Sequence, residues 1–138
     1  YPSVTPELMG DITIPLALIG ETVNGSGSWT GQDCAPLDEN FEQYFDNASS
    51  PALLVEFIGA NHMSFLDDPN CGLPCVACPT GTDDTTRTRE LTLGLMVAFY
   101  KLTLDGEGDY AWYLTGEGGE SFEDAGLILT ESSGGFGE

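Results

Sequence analysis

Basic residues are almost absent from this chain: Arg87, Arg89 and Lys101 are the only Lys or Arg among 138 residues, against 23 Asp and Glu, for a formal net charge of −20. A surface so poor in cations has nothing to displace counterions from a phosphate backbone and no polybasic anchor for anionic lipid. Nucleic acid and membrane are therefore excluded as partners. Long hydrophobic runs are also missing. The longest, Leu91 to Tyr100 with Thr92 and Gly94 inside it, falls far short of the roughly 20 apolar residues of a membrane span. Histidine occurs once, at His62, which confines imidazole chemistry to one place. The chain starts Tyr1-Pro2-Ser3 without an initiator Met or an apolar leader, and the expectation drawn from this is a mature, processed or truncated product.

What is present is enough for a core. Hydrophobic residues make up 41% and aromatics 10%, unlike the profile of a disordered acidic tail. The four cysteines, Cys34, Cys71, Cys75 and Cys78, and two sequons starting at Asn24 and Asn47 suit an exported protein, secreted or periplasmic/extracellular. In that setting the cysteines form disulfides of open pairing, and Asn24 and Asn47 are candidate N-glycosylation sites. An all-cysteine metal site is the weaker reading, because zinc sites show two close pairs and Cys34 stands alone. Asp67, Asp68 and Asn70 lack the spacing of a calcium loop. No metal and no cofactor is expected.

Along the chain, helix-like and strand-like segments alternate, the pattern of an α/β fold. Thr5-Pro6-Glu7 has the form of a short helix start. Ile12 to Ile19 reads as a strand with Pro15 near its entry, closed by Gly20, and a long polar loop follows to Pro36. Leu37 to Asn47 carries Leu37, Phe41, Tyr44 and Phe45 at helical spacing. Ala52 to Ile58 is a second strand, and Gly59-Ala60-Asn61-His62 turns out of it. A cysteine-rich loop then leads to a long helix, Thr85 to Leu104, capped by Asp83 or Asp84, with Leu91, Leu95, Ala98, Phe99 and Leu102 as its apolar stripe. Residues 105–138 read as an acidic, Gly-rich extension, frayed from Ser132 onward. Trp29, Tyr110, Trp112 and Tyr113 are candidates for a substrate groove or for the core.

Several strings carry a resemblance. Cys34-Ala35-Pro36, Asn40-Phe41-Glu42, His62-Met63-Ser64-Phe65-Leu66-Asp67-Asp68 and Leu93 to Phe99, in that order, resemble the chlorophyllase-like family of α/β-hydrolases, near the dienelactone-hydrolase and secreted esterase branch. The resemblance spans residues 12–104. It implies the C-terminal portion of an α/β-hydrolase fold (late parallel strands, histidine loop and long terminal helix) over residues 1–104, completed by another chain. It also implies a serine-type carboxylic ester hydrolase acting through an acyl-enzyme, with His62 as the catalytic histidine.

The nucleophile is not here. No Gly-x-Ser-x-Gly follows a strand, and Gly25-Ser26-Gly27-Ser28 has no helix behind it. The isolated chain is thus expected to be inactive. An N-terminal hydrolase chain carrying the nucleophilic Ser, or identical subunits, would be its partner, and a small ester its substrate. Two sources remain for the acid, the first of them preferred. The chlorophyllase-like pattern places it upstream, off this chain, whereas the commoner esterase pattern places it after the first strand, where Glu21 and Asp33 stand. A different reading is a secreted, filament-like acidic glycoprotein derived from a hydrolase fold, without catalysis.

Overall fold

Leu16 opens the sheet because Pro15 cannot: proline has no N–H to donate, and the ladder begins where the Leu16 N–H meets the Pro51 carbonyl at 2.9 Å. The computed structural model describes residues 5–24, 40–68, 72 and 78–137. A 3-10 helix, Pro6–Asp11, precedes β1, Leu16–Val23. Then come α1, Phe41–Asp46; β2, Ala52–Asn61; and α2, Thr85–Thr103. A 3-10 turn, Gly108–Tyr110, leads into α3, Ala111–Leu114, followed by α4, Glu117–Asp124, and β3, Ile128–Ser133.

The strands form one mixed sheet in the order β1-β2-β3, with β1 parallel to β2 and β3 antiparallel to it. Central β2 is apolar along most of its length because both its faces are covered. On one face Leu53, Val55 and Phe57 join Leu95 and Ala98 of α2, Leu114 of α3, Ile128 of β3 and Phe136 in the larger core. On the other, Ala52 and Leu54 pack with Phe41 and Phe45 of α1. Gly20 belongs to this second contact. A Cβ there would meet the Phe41 ring at 2.4 Å, so the bare backbone is what lets α1 lie against β1.

Three expectations need correction. The first strand is displaced toward the C-terminus, from Ile12–Ile19 to Leu16–Val23; Ile14 is exposed, and Gly20 and Glu21 continue the ladder instead of closing it because β2 still runs alongside. The first helix begins at Phe41, since Asn40 is extended and caps it, its side chain accepting from the Glu42 and Gln43 N–H groups. The end of the chain is not frayed. Thr130 to Ser133 pair with β2, and Phe136 is buried, its ring stacked on Phe99 at 5.8 Å with 4° between planes.

The long helix forms where its stripe predicts, with Leu95 and Ala98 buried and Leu91, Phe99 and Leu102 packed beside them. Asp84 is its cap, accepting from the Thr86 N–H at 3.0 Å and the Arg87 N–H at 3.3 Å. The opposite side of α2 is also apolar: Leu93, Val97, Tyr100 and Leu104 are exposed. Among the described residues no helix is long and apolar enough to cross a membrane.

Candidate active site

Adjacent parallel strands bring their carboxyl ends to the same side of a sheet, where open α/β folds build their sites. Here β1 and β2 keep one register from Leu16↔Ala52 to Glu21↔Phe57, after which β1 takes two residues to reach Val23 while β2 takes four to reach the paired Asn61. The surplus forms a bulge at Ile58-Gly59-Ala60. Gly59 takes φ +76°, and a Cβ on it would meet Thr82 Oγ1 at 2.5 Å. Its polar groups are satisfied from both sides: the Gly59 N–H donates to Thr22 Oγ1 at 2.9 Å, and the Gly59 carbonyl accepts from the Thr82 N–H at 2.7 Å. A bulge redirects the chain that leaves it. His62 follows directly.

The redirected histidine meets Glu21, the residue of β1 that lies opposite Phe57. His62 Nδ1 stands 3.4 Å from Glu21 Oε1, with the imidazole side chain 58% exposed and the carboxylate side chain 4% exposed. The hydrogen bond to Glu21 raises the His62 pKa above the ordinary histidine value; partial burial opposes this and the Glu21 charge adds to it. A carboxylate on Nδ1 selects the tautomer with its proton there. Nε2 is then free to accept a proton. Asn24 supports the arrangement by donating its amide to the Glu21 carbonyl at 2.6 Å. Neighbouring Glu56 has a raised pKa, first from burial and then from repulsion by Glu42, Glu131 and Glu21.

The turn that carries His62 is held by a polar cluster that the sequence reading did not single out. Asn61 Oδ1 accepts from the Met63 N–H at 2.9 Å, and the Asn61 N–H donates to Ser64 Oγ at 3.0 Å. Ser64 Oγ donates to Asp83 Oδ1 at 2.9 Å, and Thr88 Oγ1 donates to Asp83 Oδ2 at 2.6 Å. The Asn61 amide reaches the Pro79 carbonyl. Arg89 Nη1 adds a bond to the Leu66 carbonyl at 2.8 Å. The only foretaste of this in the sequence is the doubled acid Asp83-Asp84 ahead of a helix that needs one cap.

Of the other candidates, Asp33, Cys34, Cys71, Cys75, Trp29, Asn70 and the Gly25–Ser28 string lie outside the described residues. Cys78 is buried and disulfide-bonded. Asn47 is exposed at the end of α1, whereas Asn24 is half-buried beside Glu21. Asp67 and Asp68 are exposed, and among the described residues no group of three or more His, Cys, Asp or Glu is placed to hold a metal ion. Tyr110, Tyr113, Leu91, Leu93, Val97 and Phe122 line an apolar groove of about 500 Å³ between α2, α3 and α4 that does not include His62 or Glu21. Trp112 and Tyr113 are about half exposed and meet edge to face at 4.8 Å.

Comparison with known proteins gives a family for the chain. The chlorophyllase family model matches residues 3–116. Chlorophyllase-1 of Arabidopsis thaliana is 29% identical over 103 residues, an alignment covering 70% of this chain and 31% of that protein. The chain thus spans less than a third of the length of the curated relative it matches. No solved structure matches it.

Proposed function

Because the chain belongs to the chlorophyllase family, a family of ester hydrolases, we propose that it is the part of a serine-type carboxylic ester hydrolase that carries the catalytic histidine. The observation that carries this reading is the 3.4 Å pairing of His62 Nδ1 with buried Glu21 Oε1 at the carboxyl ends of two adjacent parallel strands. In this reading Glu21 is the acid, and no carboxylate from upstream is needed to orient the imidazole.

The mechanism follows from that geometry. Nε2 takes the proton of a serine hydroxyl as its oxygen attacks the ester carbonyl, and the imidazolium then gives that proton to the departing alkoxide, leaving an acyl-serine and a free alcohol. Water, activated by the same nitrogen, completes hydrolysis. Glu21 stabilises the imidazolium at both stages. The serine comes from another segment or chain. Two features support completion of the sheet beyond this chain: β1 is an edge strand whose outer side has no partner among the described residues, and the exposed apolar residues of α2 form a face suited to burial against a partner.

The test is made on native protein containing both this chain and the serine. A fluorophosphonate is expected to label that serine, and His62→Ala is expected to lower kcat for ester hydrolysis by about 10³-fold or more. Undiminished turnover in His62→Ala, or turnover without any labelled serine, would overturn the reading.

A further inference from the structure

His62 touches Glu21 through its side chain, but what aims that side chain is the backbone around it, and this backbone is fixed from a distance. Both peptide N–H groups flanking His62 are committed to side chains: that of Asn61 to Ser64 Oγ at 3.0 Å and that of Met63 to Asn61 Oδ1 at 2.9 Å. Ser64 is only 1% exposed. A buried hydroxyl is costly unless its bonds are made, and at this place a small apolar residue would fill the space as well. Its single proton has two acceptors in reach, Asp83 Oδ1 at 2.9 Å and Asn61 Oδ1 at 3.2 Å. The carboxylate is the nearer and the stronger acceptor. Asp83 in turn is anchored by buried Thr88, one turn into α2, whose Leu95 and Ala98 sit in the core.

Helix capping does not explain Asp83. Asp84 caps α2, taking the Thr86 and Arg87 N–H groups, and Asp83 has both oxygens turned to Ser64 and Thr88 instead. We propose that Ser64 and Asp83 are positioning residues for His62, clamping the turn 61–64 onto the start of α2 so that the imidazole is held facing Glu21. The inference rests on the reading of His62 and Glu21 as base and acid. None of the clamp's hydrogen bonds involves the imidazole itself, so its action is entirely through backbone geometry.

The single histidine of the chain makes the test direct, because it gives one imidazole Cε1–H resonance that can be followed by NMR through a pH titration of the full chain. Glu21 is the charged group that raises the His62 pKa, and Glu21→Gln is expected to lower the titration midpoint. Ser64→Ala, which changes no charge, is expected to lower it in the same direction by at least half as much, with the amide resonances of α2 preserved. Asp83→Asn is expected to do likewise. A midpoint unchanged in Ser64→Ala while Glu21→Gln lowers it overturns the clamp and leaves the pairing standing. A midpoint unchanged in Glu21→Gln overturns the pairing, and the clamp with it. Should Asp83→Asn fail to fold, Ser64→Ala decides alone, since it removes one oxygen and leaves the packing in place.

Discussion

At the residue scale, the interaction between His62 and Glu21 couples protonation to both chemistry and stability. A raised imidazole pKa moves the acid limb of the rate profile upward, since only the neutral ring can take the serine proton. It also has a sign in folding. A group whose folded pKa lies above its unfolded value stabilises the fold most below the unfolded value, about 6.5 for histidine, and that contribution is lost as pH rises through the folded value. The stability advantage of the native chain over His62→Ala is therefore expected to be largest near about pH 5.5 and to fade by about pH 8.5. Denaturant titrations at the two pH values measure it, and an advantage that grows with pH would contradict the pairing. The effect is modest because the ring is more than half exposed and solvent screens the pair. His62 itself was legible in the sequence as a histidine in a turn after an apolar strand. Its carboxylate was not: the resemblance placed the acid upstream of this chain, with Glu21 or Asp33 as the alternative, and that Glu21 stands beside His62 depends on the register of β1 on β2, which no local pattern contains.

At the element scale, the feature that makes the site is the bulge of β2. Ala52 to Ile58 was readable as a strand from its apolar run, but the same run gives no sign that pairing resumes at Asn61 after an excursion. Gly59 is the local clue, and its requirement is double: a positive φ and no room for a Cβ next to Thr82. Gly59→Ala is expected to destabilise the fold by about 1–3 kcal/mol and to displace His62 from Glu21. Thermal unfolding together with the His62 titration midpoint checks both effects. An alanine variant with native stability and a native midpoint would remove the bulge from the explanation of the site. The doubled acid before α2 makes the same point. Either Asp83 or Asp84 can cap a helix by sequence, and which one is released to bind Ser64 is settled only when the turn 61–64 packs against the helix start.

At the scale of the whole molecule, residues 108–137 belong to the same core as the strands and α2. Leu114, Ile128 and Phe136 are buried with Leu53, Val55 and Leu95. Phe136→Ala is expected to cost about 3 kcal/mol, read as a lowered melting temperature; a tail without contacts would lose nothing. The net charge of −20 bears on association at this scale, because self-repulsion favours partners that bury apolar surface, such as the exposed side of α2, over partners held by charge. The sequence by itself determined the α/β alternation, the long helix with its apolar stripe and the lone histidine after a strand, since each follows from composition or short-range periodicity. Only the tertiary structure decided that β3 closes the far edge antiparallel to β2, that Glu21 is the carboxylate beside His62 and that Ser64 and Asp83 clamp its turn. Those outcomes depend on contacts between residues some 20 to 80 positions apart, whose geometry is set by strand register and core packing, and neither is encoded in any one segment.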